Sequence, residues 1–180
     1  MLHVGCGRAE EGELDESFTG AGWVELRLDV DPEVEPDIVA NITDMSPVPS
    51  VSMDAVFSRH NIEHIFAHEV PRAIEEFFRV LRPGGEVLLM TPDLQGVAKT
   101  IVSGRLEDPL YRAPAGQITP LDVVYGYRPE IAEGREYMAH RTGFTRGTLM
   151  RRLGQAGFVD VQVTREAPYE LRARAKRPVS

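Results

Sequence analysis

Two glycines bracket a cysteine at Gly5-Cys6-Gly7, and two aspartates, Asp29 and Asp31, stand about two dozen residues further on. Glycine in such a loop lets the backbone approach a ligand closely and adopt dihedrals closed to other residues. An acid at that distance, at the end of the next strand, is the residue type that holds a ribose. Glycines also serve ordinary tight turns, so the pair gains its weight from spacing. Together the residues read as a nucleotide site.

Imidazole is the side chain that titrates nearest neutrality, and the chain has five histidines. His60 follows a predicted strand and reads equally as a base or as a turn residue touching a ligand. His64, after Glu63, reads as structural. His140 lies in Tyr137-Met138-Ala139-His140-Arg141-Thr142-Gly143-Phe144, downstream of Tyr125-Gly126-Tyr127-Arg128. That region concentrates aromatic, basic and imidazole groups, and His140 is its best candidate base or substrate ligand. The competing reading is a self-packed lid that its own Tyr and Arg residues hold shut. His60, His64 and His68 recur at i, i+4 and i+8, which would align them on a helix face. The region before Pro71 need not be continuous helix, however, and a lone cysteine gives no zinc signature, so no metal is expected. Cys6 reads as a small packing residue.

The elements that must position these groups alternate short apolar runs with helical periods, the pattern of an α/β domain with a mostly parallel sheet. Strands are predicted at Leu2–Val4, Trp23–Asp29, Asp37–Ala40, Met53–Ser58 and Glu86–Met90. A weak, Glu-rich segment from Glu10 to Gly22 follows the first. Val70, Ala73, Ile74, Phe77, Phe78 and Leu81 form one apolar helical stripe, with Pro71 as start signal and Pro83-Gly84-Gly85 as stop. A helix from Leu94 to Val102 opens an insertion of about 94–143 that otherwise lacks clean periodicity, and loops of that length are commonly lids or binding elements. Thr145 caps a helix carrying Leu149, Met150, Leu153 and Ala156, stopped by Gly157. Val159–Thr164 and Tyr169–Lys176 read as an antiparallel hairpin at the sheet edge, connected through Ala167-Pro168.

At 180 residues and 42 % apolar composition, one domain with one sizeable core is expected. No apolar run reaches the length of a membrane span, Met1-Leu2-His3-Val4 enters structure without a signal pattern, and a single cysteine fits a reducing cytoplasm. The net charge of −8 argues against a nucleic-acid partner. Arg172, Arg174, Lys176 and Arg177 are a local exception, and their alternation with Leu171, Ala173 and Ala175 suits one wet strand face better than a phosphate patch.

The order of these phrases resembles the class I S-adenosylmethionine-dependent methyltransferases, of the small methyltransferase type 11 kind found in bacteria. Leu2-His3-Val4-Gly5-Cys6-Gly7 is similar to the family's first motif, Leu28-Asp29-Val30-Asp31-Pro32 to its acidic second-strand end, and Ala40-Asn41-Ile42-Thr43-Asp44-Met45 to its adenine-side loop. Asp54-Ala55-Val56-Phe57-Ser58 with Asn61-Ile62-Glu63-His64, then Phe78-Arg79-Val80-Leu81-Arg82-Pro83-Gly84-Gly85 and Ala156-Gly157-Phe158, resemble its later motifs. The resemblance implies a Rossmann-like, doubly wound sheet of seven mostly parallel strands, with an antiparallel final hairpin and a lid-like insertion after strand 5.

It further implies that Gly5, Cys6 and Gly7 line the methionine and ribose of S-adenosylmethionine. Asp29 would accept from the ribose hydroxyls, Val30 would pack near the adenine, Asn41 and Ile42 would meet the adenine edge, and Ser58, Arg59 and His60 would close the methionine end. His60 would also point at the methyl group. Two departures are visible: His3 stands where the family usually has an acid for the methionine amino group, and Ala9 replaces a third glycine. The helix that often precedes the first strand is missing from the sequence given, so cover by the insertion or by a second copy in a homodimer is expected. Ser58-Arg59-His60-Asn61 lacks the Pro-Pro-aromatic phrase of base-modifying DNA enzymes. The expected activity is methyl transfer to O or N of a small molecule or peptide, with S-adenosylhomocysteine as product. A non-catalytic cofactor-binding module and a non-methylating use of the cofactor stay as alternatives.

Overall fold

The computed structural model describes residues 1–8, 14–20, 22–113, 115–166 and 169–179. Two features predicted from sequence, Ala9 in the glycine loop and the Ala167-Pro168 connection, lie outside them, as does part of the segment after the first strand. The elements are strands β1 (Leu2–Val4), β2 (Leu26–Asp29), β3 (Ile38–Val39) and β4 (Met53–Arg59), helix α1 (Val70–Val80), strand β5 (Leu81–Pro92) and helix α2 (Leu94–Val102). There follow a small hairpin of β6 (Tyr111–Ala113) and β7 (Gly116–Ile118), helices α3 (Pro120–Tyr125), α4 (Arg128–Ala132) and α5 (Arg146–Gln155), and strands β8 (Val159–Glu166) and β9 (Glu170–Lys176).

Seven strands form one sheet in the order β3-β2-β1-β4-β5-β9-β8. β1 to β5 run parallel, and β9 pairs antiparallel with both β5 and β8. The closing hairpin is therefore at the edge as expected, but its second strand lies inside and its first outermost. The chain order reverses between β1 and β4, the switch point at which such sheets bind ligands beyond their carboxyl ends.

Packing follows the predicted stripe. Val70, Ala73, Ile74, Phe77 and Val80 of α1 are buried and join Leu149 and Leu153 of α5 against Leu2, Val4, Val56 and Leu89 of the sheet. A smaller cluster, Met1, Phe18, Ala55, Phe57, Leu88 and Met90, occupies the other face. The helix stops one residue short of the expected end, because Leu81 turns extended and pairs with Met53 as the first residue of β5. Pro83-Gly84-Gly85 thus sits within the span of β5, where the register jumps from Met53↔Leu81 to Ala55↔Glu86.

The alternation in β9 is visible directly. Leu171, Ala173 and Ala175 are buried, while Arg172 clasps Asp15 with two contacts of 2.8 Å and Arg174 donates to Ser17. Among the described residues no helix is long and apolar enough to cross a membrane.

The insertion carries more regular structure than its sequence periodicity suggests. Its ends meet: Asp93 and Phe144 form a bridge, and Leu94 N–H donates to the Phe144 carbonyl at 3.0 Å. Asp93 caps α2 by accepting from Gln95 N–H, and Thr119 and Asp122 cap α3 reciprocally.

Candidate functional site

The glycine loop turns directly out of β1, with Gly5 and Gly7 both at positive φ (65° and 58°). Asp29, at the end of the neighbouring β2, accepts from Gly7 N–H through Oδ2 at 3.0 Å and from Asp31 N–H through Oδ1 at 3.0 Å. Arg27 adds a hydrogen bond to the Gly7 carbonyl. One carboxylate therefore fixes both the loop and the strand end. Val30, beside it, leaves an apolar side chain exposed at 52 %. Asn41 folds its own turn by accepting from Thr43 N–H and hydroxyl, and Ile42 is buried beneath it.

Cys6 is buried, and burial pushes its thiol up to about 11, so it packs rather than reacts. His3 is also buried, with Nδ1 2.7 Å from Glu25 Oε1 and its ring 4.9 Å from that of Phe57. Burial pulls its imidazole below the ordinary value, against the pull of Glu25. The histidine that replaces an acid thus brings a carboxylate with it.

The carboxyl end of β4 holds polar atoms with nothing to bond. Ser58 Oγ and Asn61 Nδ2 are buried without a hydrogen-bond partner. Ser58 pairs in register with Val4, next to the glycine loop, and a Cβ on Gly5 would lie 2.4 Å from Asn61 Cγ. A Cβ on Gly7 would meet nothing within 4 Å. Unpaired buried polar groups cost about 1–3 kcal/mol each, so two of them beside an open glycine fit a polar ligand group. On these observations the residues present fit a nucleoside-bearing cofactor such as S-adenosylmethionine.

Beyond that end the chain gathers a charged cluster. His60 takes a left-handed backbone (φ 47°), uncommon for a bulky residue and typical of functional turns. Its Nε2 lies 2.9 Å from Glu170 Oε1 and its Nδ1 3.3 Å from Glu63 Oε1. Burial pulls the imidazole down, but the Glu170 and Glu63 carboxylates more than offset it and hold the ring protonated. Burial likewise pushes Glu63 up, and His60, His64 and His140 around it keep it ionised. Thr91 donates its hydroxyl to Glu63 Oε2 at 3.0 Å, while Oε1 has no aligned hydrogen bond despite the nearby charge. Arg59, on the rim, lies 3.8 Å from Glu170.

The insertion completes this cluster. His140 has Nδ1 2.8 Å from the Val123 carbonyl, which makes that nitrogen the donor and leaves the lone pair on Nε2. Its ring stands edge-on to His64 at 4.9 Å, and burial holds its imidazole below the ordinary value. Tyr111 from β6 stacks on Tyr169 at 6.3 Å, its phenol pushed up by burial and then by Glu170 and Glu63. Tyr137 donates to Asp31 Oδ2 at 2.9 Å, so the insertion also reaches the turn after β2.

The structure thus separates the predicted residues into two neighbourhoods. His3, Gly5, Cys6, Gly7, Asp29, Val30, Asn41 and Ile42 belong to the ends of β1 to β3. Ser58, Arg59, His60 and His140 belong to the end of β4 and the insertion. Residues 60–68 make only a 3-10 turn at Ile62–His64, so the i, i+4, i+8 alignment of histidines does not form. Sequence reasoning missed Glu63 and Glu170 as charged partners, and Asn61, Tyr111 and Tyr137 as contributors. Only the Tyr- and His-rich phrase around residue 137 carried a signal. A hollow of about 320 Å³ in the insertion, lined by Gln117, Asp122, Tyr127, Arg128, Pro129 and Ala132, contains none of the predicted residues.

Residues 2–89 match a family model described as a methyltransferase domain. No curated protein matches the chain. Among solved structures, the chain is similar to a SAM-dependent methyltransferase from Methanosarcina mazei, at 20 % identity over 99 % of this chain and 92 % of that one, with a TM-score of 0.64. It is similar to an S-adenosylmethionine dependent methyltransferase from Mesorhizobium loti, at 18 % identity over 98 % and 90 %, with a TM-score of 0.64. It is also similar to the 1,6-didemethyltoxoflavin-N1-methyltransferase of Burkholderia thailandensis, solved with its acceptor and S-adenosylhomocysteine, at 15 % identity over 98 % and 70 %, with a TM-score of 0.58. Likeness at these identities carries the fold. The methyltransferase-domain model thus matches residues 2–89, and from end to end the chain has the fold of solved S-adenosylmethionine-dependent methyltransferases.

Proposed function

We propose that the chain, acting as one domain, is an S-adenosylmethionine-dependent methyltransferase that methylates O or N of a small molecule or peptide. The observation that carries this is the pairing of an Asp29-anchored glycine loop with unpartnered Ser58 Oγ and Asn61 Nδ2 at the switch point of the sheet. S-adenosylmethionine, when bound, supplies an electrophilic methyl group on a sulfonium.

Gly5, Cys6 and Gly7 give the cofactor a close backbone path, and Asp29 accepts from its ribose hydroxyls. Val30, Asn41 and Ile42 bound the adenine side. His3, Ser58, Arg59 and His60 close the methionine end. In-line displacement needs mainly positioning, with a base only where the acceptor carries a proton of high pKa. Of the two imidazoles, His60 is already committed to Glu170 and Glu63 and acts as a fixed positive charge. His140 keeps a lone pair on Nε2 and is the group to take a proton. The insertion serves as cover, with Tyr137 on Asp31 as its contact to the cofactor side. On the same footing we place the chain in the cytoplasm and leave a homodimer as the second source of cover.

The test is calorimetric titration of the purified chain with S-adenosylmethionine and S-adenosylhomocysteine, followed by a screen for acceptor-dependent release of the latter. Binding of both, weakened by about 1–3 kcal/mol in Asp29→Ala, supports the reading. A folded chain that binds neither overturns it, and binding without turnover across a broad acceptor panel turns it into a non-catalytic module.

A further inference from the structure

Glu63, His64 and His140 each offer a donor atom, and these atoms lie within 4.8 Å of one another. We propose that the three residues bind a divalent first-row transition-metal ion. Two imidazoles and one carboxylate form a nitrogen–oxygen donor set suited to Zn²⁺, Mn²⁺, Fe²⁺ or Co²⁺.

The surroundings match what such a site needs. Glu63 is fully buried; Oε2 is taken by Thr91, whereas Oε1 has no aligned hydrogen bond and faces His60 Nδ1 at 3.3 Å. A divalent ion would satisfy that buried oxygen more fully than the unaligned His60 contact does. His140 has its Nδ1–H on the Val123 carbonyl at 2.8 Å, the outer hydrogen bond by which proteins fix the tautomer and direction of a metal-binding imidazole. His64 lies between two carbonyls, Ala139 O at 3.3 Å from Nδ1 and His60 O at 3.1 Å from Nε2. A neutral ring donates to only one of them, so the other nitrogen keeps a lone pair, which an ion would take by displacing the facing carbonyl.

The two segments are also locked together before any ion arrives. Arg141 N–H and Thr142 N–H both donate to the Glu63 carbonyl, at 2.8 and 3.1 Å. His60, 3.3 Å from Glu63 Oε1, would cede that oxygen and keep Glu170. An ion on His140 Nε2 occupies the lone pair assigned above to the acceptor's proton, so metal-loaded protein loses turnover. That consequence rests on the methyltransferase reading, whereas the binding itself does not.

The experiment strips the full chain with a chelator and titrates it with Zn²⁺ by calorimetry and with Co²⁺ by visible absorption. Expected are one ion per chain, a thermal midpoint raised by Zn²⁺, and at least about tenfold weaker binding in His140→Ala and His64→Gln. His140→Gln, closer in size, replaces His140→Ala if that variant does not fold. Absence of binding by the wild-type chain overturns the proposal, as does unchanged binding in both variants. Loss of binding in His68→Ala, an exposed histidine outside the cluster, assigns the ion to the surface and overturns it too. Failure to bind S-adenosylmethionine would leave the metal result standing, which keeps the two readings separable.

Discussion

Gly5 and Gly7 share a left-handed backbone, yet their surroundings make them differ in cost. An alanine at either position incurs about 1–2 kcal/mol of backbone strain. At Gly5 the new methyl also runs into Asn61, 2.4 Å away, whereas at Gly7 it enters open space. Gly5→Ala is therefore expected to lower the thermal midpoint more than Gly7→Ala, with chemical denaturation of both variants as the check. Equal losses would mean that Asn61 is free to swing aside. If the loop holds S-adenosylmethionine as proposed, both changes should weaken its binding. These glycines were legible in the sequence because a backbone requirement has few chemical solutions. The partnership of His3 with Glu25 was not, because a side-chain pair across adjacent strands leaves no fixed spacing.

At the scale of elements, the short helices of the insertion depend on their caps. The Asp122 carboxylate accepts from Thr119 N–H and hydroxyl and from Arg128 Nε at 2.9, 2.6 and 2.8 Å. Burial pushes Asp122 up, but these donors outweigh it and bring it to about 2. A carboxyl depressed in the folded state stabilises above its unfolded value, near 3.8, and loses that contribution as pH falls through about 2. Allowing for solvent around its partner, the term is about 1 kcal/mol. Unfolding free energies from urea titration at pH 5 and pH 2.5 should differ less in Asp122→Asn than in the wild type, by about that amount. On β9 itself, Arg172 on Asp15 ties the strand to the turn at Glu16–Phe18. Arg172→Ala should cost about 1–2 kcal/mol in thermal or urea unfolding, since it strands a half-buried carboxylate. Helix α1 and strand β9 could be read beforehand, one from its period of 3.6 and the other from strict alternation. The α3 and α4 turns could not, because five or six residues are too few for a period to register.

For the whole molecule, the insertion leaves and returns at Asp93 and Phe144 and reaches both ends of the site. Its contact with Asp31 is one exposed hydrogen bond from Tyr137. Tyr137→Phe should leave global stability within about 1.5 kcal/mol of the wild type while increasing proteolytic cleavage of the insertion. Bound S-adenosylmethionine should restore protection if the insertion covers the cofactor. Cleavage equal in both proteins would show that this contact does not hold the insertion down.

By itself the sequence showed the alternation of strands and helices and the glycine loop with its acidic partner, and its family resemblance implied the seven-stranded sheet. Apolar periodicity, turn residues and the interval from Gly5 to Asp29 are local patterns, and parallel strands joined by short crossovers turn them into neighbours with little freedom. Only tertiary structure decided the other end of the site. Glu63, Glu170, His64 and His140 come from three distant segments, and their charges acquire meaning only when the final hairpin and the insertion close on β4. A buried carboxylate among imidazoles is a property of enclosure, produced by packing rather than by order along the chain.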